Sequence, residues 1–136
     1  MRTRTWLVAL IVLPMLAASV QAGGSLSIRL VEASNSGHGV SPGLKDVAGI
    51  LKSSLAFSDY KLLGSSALRL PALGEKGQVG DYEVTCHGDQ HNLSITVIRG
   101  KNVMLTTQVR IQEGLPLILG GFLSGAGRHM LVFTLR

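Results

Sequence analysis

Apolar and polar side chains alternate along most of the chain with a period of two, the pattern of strands with one buried face. The first such segment covers residues 26–30 and extends to Ala33. Later segments are separated by short stretches rich in Gly, Asn and Asp, which favour turns. The further predicted strands cover residues 60–63, 67–70, 82–87, 93–97, 103–111, 115–119 and 131–135.

One segment, residues 42–56, has the period of an amphipathic helix instead. Ser41 before Pro42 favours a helix start, because a serine hydroxyl accepts from the first amides and proline there loses no needed donor. Ile50 and Phe57 widen the apolar face, so we expect the helix to lie against a sheet. The positions that recur at helical spacing are Leu44, Val47, Ala48, Leu51 and Leu55.

Together these elements predict a mainly β fold with one α-helix. Most of the predicted strands are close in sequence and joined by hairpin-length loops. We therefore expect an antiparallel β-sandwich-like arrangement, or a strongly bent sheet, of seven to eight strands covered by the one helix.

The first 22 residues predict a secretory signal peptide and are set apart from the fold. They begin with Met-Arg-Thr-Arg, continue with an apolar run that contains one proline, and end in Val-Gln-Ala. This pattern predicts cleavage between Ala22 and Gly23. The run is shorter than the roughly 20 residues of a membrane-spanning helix, so no transmembrane segment is expected after cleavage. Residues 23–136 are then a single β-rich domain, secreted or periplasmic.

The positive charge is smaller than the whole chain implies. Removing the two arginines of the predicted signal peptide lowers the formal net charge from +5 to +3. The remaining cations are scattered, and aromatic residues make up only 4% of the chain. Nucleic-acid binding depends on clustered cations, often with stacking aromatics. The sequence therefore predicts no nucleic-acid partner.

The single cysteine, Cys86, excludes an internal disulfide. Its place in an alternating strand predicts a side chain buried in the core, as is common for free cysteine. Cys86, His87 and His91 could alternatively form a small zinc or copper site at a hairpin tip. Strand alternation opposes that site, since Cys86 and His87 would point to opposite faces. The leading interpretation needs no cofactor.

The glycine-rich stretch 120–127 predicts a bent hairpin, because no Gly-Lys-Ser/Thr follows it as in a phosphate-binding loop. Phe122 and Leu123 lie within it. They could form an exposed apolar contact site for a partner, or fold back over an open end of the sandwich.

Residues 103–121 resemble a segment of the bacterial secretins, in which a strand, a polar-Gly turn and an apolar run lead into Gly-Gly. The resemblance implies a β-hairpin in an envelope protein. The second, Pro-Gly-rich segment that follows in secretins is absent here, so pore formation is not implied.

The sequence carries no Gly-x-Ser-x-Gly elbow and nominates no pair of catalytic carboxylates, so an enzyme is not expected. The leading hypothesis is a non-enzymatic secreted or periplasmic binding or assembly module of a bacterial cell envelope. It would contact an envelope protein through a sheet edge or through Phe122 and Leu123. The alternative is a small metal-binding protein using the Cys86–His91 loop. The oligomeric state is left open.

Overall fold

Two antiparallel four-stranded sheets and a short helical segment build the structure, a computed structural model that describes residues 24–125 and 127–136. The helical segment is a 3-10 helix, Pro42–Val47, that continues directly as α1, Ala48–Ser54. The strands are β1 (Ser25–Ser34), β2 (Asp59–Arg69), β3 (Ala72–Val79), β4 (Tyr82–Asp89), β5 (Asn92–Arg99), β6 (Asn102–Val109), β7 (Leu117–Ser124) and β8 (Gly127–Leu135).

Sheet I has the strand order β2-β1-β8-β7, and sheet II has the order β3-β4-β5-β6. Sheet II is a meander in which two-residue turns join successive strands. Gly80 and Gly100 begin two of these turns with φ of 59° and 63°, a conformation that glycine adopts without the usual steric cost. The chain passes directly from β2 to β3 at one side of the molecule, and β6 and β7 are the edge strands at the other.

The main core fills the space between the two sheets, as the alternating pattern predicts. Inward-facing residues of β1, such as Leu26, Ile28 and Leu30, and of β8, such as Phe133, meet those of sheet II. From sheet II the buried set includes Val79, Tyr82, Val84, Cys86, Leu93, Ile95 and Val97. The predicted sandwich-like β fold is therefore confirmed.

A second apolar cluster covers the outer face of sheet I. Leu44, Val47 and Leu51 of the helical segment are buried against side chains of β1, β2 and β8. The two central strands, β1 and β8, are consequently buried on both faces. Helical segment, sheet I and sheet II thus form three layers, and the predicted position of the helix against a sheet is confirmed.

One strand, β2, is longer than the pattern predicts, and another, β3, is not predicted by the pattern. β2 runs without interruption through Gly64, where a break was expected, and a register shift beside it lies between Leu30 and Val31 of β1. β3 includes residues 74–77, which have the composition of a turn. Gly74, with φ of 94°, lies in a bulge that shifts the register between Leu73 and Glu75. The glycine accommodates a bulge rather than a chain reversal.

The helical segment is shorter than predicted and is capped differently. It ends at Ser54 and begins as a 3-10 helix. The Ser41 hydroxyl makes no capping bond. It accepts instead from the backbone amide of Leu62, 3.1 Å away. Ser41 therefore links the start of the helical segment to β2.

The hairpin implied by the resemblance to secretins is absent from residues 103–121. β6 belongs to sheet II and β7 to sheet I, so the chain crosses between the sheets over residues 110–116. The glycine-rich stretch does form a bent hairpin, in which β7 pairs with β8 and the register shifts between Gly120 and Phe122.

The predicted signal peptide, residues 1–22, lies outside the described residues. Within the described part of the chain, no helix has the length and apolar character needed to cross a membrane.

Candidate functional site

Strand β7 is an edge strand whose sequence, LILGGFLS, contains no charged residue. Among the described residues it pairs only with β8, on one side. Natural proteins usually protect such edges with charged side chains, because unpaired backbone groups attract another strand. Leu115 and Leu123, near the two ends of β7, are 61% and 68% exposed. The strand therefore presents an open, apolar edge.

An apolar groove of about 660 Å³ lies beside β7, between it and the α1 region. Its volume is within the range of natural ligand sites. Most of the apolar side chains in its walls are only half-buried, so the groove is accessible. The apolar residues that shape it are Ile50, Leu55, Phe57, Leu117, Ile118 and Met130.

The groove exists because the helical segment covers only part of sheet I. Its buried residues pack on β1, β2 and β8, whereas Ile118 of β7 stays half-buried at the border of this cluster. Leu55 and Phe57 follow the end of α1 and pack against the same border. They form one wall of the groove and the edge strand forms the other.

One charged side chain, Arg128 of β8, lines the groove. It is exposed, and its Nη1 donates a hydrogen bond to the carbonyl of Gly121, 3.2 Å away. Arg99 of β5 donates from Nη1 to the carbonyl of Leu123 at 3.0 Å. The carbonyls of Gly121 and Leu123 therefore already have partners, and residues 117–120 form the more open half of the strand edge.

Phe122 and Leu123, the predicted partner-binding pair, have different environments. Phe122 is half-buried against the main core, where its ring stacks on Tyr82 with centroids 5.5 Å apart and planes at 30°. Leu123 is exposed. The phenylalanine thus folds over the end of the sandwich, the second of the two arrangements considered, and only the leucine faces solvent.

A buried polar cluster links the two sheets next to Phe122. The Tyr82 hydroxyl and Nδ1 of His129 are 3.0 Å apart, and Nε2 of His129 is 3.5 Å from Oε2 of Glu32. The Arg99 guanidinium lies 5.1 Å from the centroid of the Tyr82 ring, within cation–π range. Burial raises the pKa of the Tyr82 hydroxyl above its usual value. Because Tyr82 is fully buried, this cluster joins the sheets and does not open into the groove.

The three candidate metal ligands do not come together. Cys86 is fully buried in the core, and burial, with a smaller effect of Glu75, raises the pKa of its thiol to about 11. His87 is exposed on the opposite face of β4, and His91 is exposed in the following turn. Among residues 24–125 and 127–136, no group of three or more His, Cys, Asp or Glu side chains is placed to hold a metal ion.

Asp59 organises the loop before the helical segment. Its carboxylate accepts from the amide of Gly37 at 2.7 Å, from the amide of Gly39 and from the Ser58 hydroxyl at 2.6 Å. The Ser58 hydroxyl and these amides hold the pKa of the carboxyl well below its usual range. These bonds tie Gly37 and Gly39 to the start of β2, so Asp59 fixes the conformation of this loop.

The sequence pattern singles out Ile50 and Phe57 as residues that widen the apolar face of the helix, but it predicts only that the helix lies against a sheet and does not predict the groove that they line. Arg128 was missed, since a single arginine near a turn has no distinctive signal until the edge strand beside it is known. Comparison of the chain with protein-family models, curated proteins and solved structures finds no match, so the fold and the groove carry the functional argument.

Proposed function

We propose that this protein is a non-enzymatic binding module that takes an extended segment of a partner protein along the groove beside β7. The observation that carries the proposal is the combination of an uncharged edge strand with an apolar groove along it. Peptide recognition by strand addition uses these two features, because edge backbone groups supply hydrogen bonds and neighbouring pockets select side chains.

β6, the other edge strand at this side of the molecule, is a less suitable site for a partner strand than β7. β6 is also uncharged, but exposed polar residues such as Thr106 and Gln108 alternate along it. Among the described residues, the helical segment packs on sheet I and not on sheet II. β7 therefore has a second wall for the side chains of a partner, which β6 lacks.

We propose further that the module works outside the cytoplasm, secreted or in the periplasm of a bacterial cell envelope. The support is the signal-peptide pattern of residues 1–22. Its partner would then be another protein of the envelope.

The test is a random peptide library panned against the purified protein, followed by NMR titration of the selected peptides. We expect amide shifts concentrated in β7 and α1. N-methylation of alternate peptide amides should abolish binding, since strand addition needs those donors. Peptides that bind at another surface, or that tolerate N-methylation at every position, would contradict the proposal.

A matched pair of variants checks the groove itself. Phe57→Ala removes an aromatic ring from its wall, and we expect affinity to fall by about tenfold or more, as for a contact of at least 1.4 kcal/mol. Leu73→Ala removes a more exposed apolar side chain, 80% exposed, from β3 of the other sheet. It should leave affinity unchanged, and both variants should keep the wild-type far-UV circular dichroism.

A further inference from the structure

We infer that the segment bound in this groove carries a carboxylate that pairs with Arg128. The ligand is then a short apolar stretch of peptide with an acidic side chain, or its own C-terminal carboxylate, at the Gly121 end of the groove. This inference rests on the proposed function and specifies the chemistry of the partner.

The charge of the groove is complementary to that of an anionic ligand. Of the residues that the structure describes, Arg128 is the one charged residue that lines the groove. Neither β7 nor β8 contains an aspartate or glutamate, so no acidic side chain on these two strands offsets it. An apolar groove with a single cation at one end fits a ligand that is apolar along its length and anionic at one end.

The guanidinium of Arg128 has no carboxylate partner among the described residues. Arg29, by comparison, has a carboxylate partner in this chain, with two hydrogen bonds to Asp46 at 2.7 and 3.0 Å. Arg128 donates only to a carbonyl, and no carboxylate of the described residues lies within 4.0 Å of it. A guanidinium has five N–H donors in a fixed fork that matches a carboxylate, so Arg128 retains donors for one.

The hydrogen bond to Gly121 also positions the group. It holds Arg128 across the bulge of β7, beside the point where the more open edge ends. A strand added along residues 117–120 would therefore bring one end of the ligand to the guanidinium. The backbone donors and acceptors of this edge favour a peptide over a fatty acid, whose alkyl chain cannot pair with them.

The experiment uses three defined probes and the purified protein. The probes are Ac-Thr-Ile-Thr-Leu-Glu-NH2, the same peptide with Gln in place of Glu, and Ac-Thr-Ile-Thr-Leu-OH. Isothermal titration gives the affinities, and NMR shifts locate each binding site. Comparison of the first and third probes distinguishes an acidic side chain from a C-terminal carboxylate.

We expect Arg128→Gln to weaken binding of the Glu probe by about tenfold, the scale of a partly exposed charge-assisted hydrogen bond. Replacing Glu with Gln in the probe should cost the same factor with the wild-type protein and nothing further with Arg128→Gln. The matched control is Lys52→Gln, which removes an exposed cation of α1 that does not line the groove. It should leave the affinity unchanged.

The other outcomes overturn the inference in distinguishable ways. If the Glu and Gln probes bind the groove equally and Arg128→Gln leaves the affinity of Ac-Thr-Ile-Thr-Leu-OH unchanged, no carboxylate is recognised, but the proposed function stands. If no probe and no library peptide binds at β7, the proposed function fails as well. If decanoate binds the groove in an Arg128-dependent way and the peptides do not, the ligand is a fatty acid and the inference about a peptide is wrong.

Discussion

Burial decides what single ionisable side chains can do in this protein. Cys86 lies in the core with a thiol pKa raised to about 11, so near neutral pH it is protonated and inaccessible. Thiolates, not thiols, are the species that bind metals and react with disulfide reagents. Although a cysteine thiol is ordinarily reactive, Cys86 therefore serves to pack the core.

The first prediction follows from that burial. In the native protein at pH 8, Cys86 should resist labelling by 5,5′-dithiobis(2-nitrobenzoate), and one thiol should label at once in denaturant. Added zinc should change neither rate, since the side chains of His87 and His91 do not converge on the sulfur. Fast native labelling that zinc suppresses would revive the metal-binding alternative.

The second prediction concerns pH and Asp59. Its pKa is lower in the folded protein than the value of about 4 in an unfolded chain. The stability it contributes is thus fully present above about pH 4 and is lost as the pH falls below that value. Asp59→Asn should flatten the fall in urea midpoint between pH 5 and pH 2. Asp46, with its pKa lowered by the Arg29 hydrogen bond, would supply the remaining slope.

Parallel curves for wild type and Asp59→Asn would show that the carboxylate contributes no pH-dependent stability. Amide hydrogen exchange gives an independent readout, because Gly37 and Gly39 donate to Asp59. Their protection should fall in the variant.

At the scale of elements, two glycines with positive φ show where the β4–β6 meander requires backbone segments to lie too close together for a side chain. Gly88 has φ of 110°, and a Cβ there would collide with the backbone carbonyl of Asn92. Gly100 has φ of 63° and open space around the same position. Both glycines thus have a positive φ, and they differ in the crowding around the position of a Cβ.

The third prediction uses them as a matched pair. Gly100→Ala should cost about 1 kcal/mol of unfolding free energy, the usual penalty of a left-handed residue. Gly88→Ala should cost at least about 1–2 kcal/mol more, since the backbone of the hairpin must also move. Urea unfolding of both variants measures the difference, and equal costs would contradict the crowding at Gly88.

The elements that could be predicted from sequence are those in which one face is buried and the period is unbroken. β4 and β5 alternate strictly and were predicted closely. β3 was missed because residues 74–77 have the composition of a turn. In the structure Gly74 lies in a bulge, and Gly77 lies in tight contact with Ser66. The groove could not be predicted, since it depends on which strand lies at the edge of sheet I, and that order is set by pairing between distant parts of the chain.

At the scale of the whole molecule, the Tyr82–His129 contact connects the two sheets through a hydrogen bond inside an otherwise apolar core. Buried polar groups of this kind are costly when one partner is removed, because the other is left unpaired.

The fourth prediction is that Tyr82→Phe lowers the free energy of unfolding by about 1–3 kcal/mol, although the ring and its stacking on Phe122 are retained. Glu32→Gln changes the outer member of the same cluster, whose side chain is 34% exposed. It should cost less than about 1 kcal/mol. Denaturant titration compares the two, and a neutral Tyr82→Phe would show that the inter-sheet bond adds nothing to stability.

The strand order of sheet I has a consequence for how the chain reaches its fold. Sheet II joins neighbouring strands through two-residue turns, and such local pairing forms early. β1 instead lies between β2 and β8, and among the described strands β8 comes latest in sequence. The edge of β1 that pairs with β8 therefore stays open until residues 127–135 have been synthesised. A nascent chain that lacks those residues exposes this strand edge and the apolar side chains that β8 covers, so sheet I is completed only after residues 127–135 have left the ribosome.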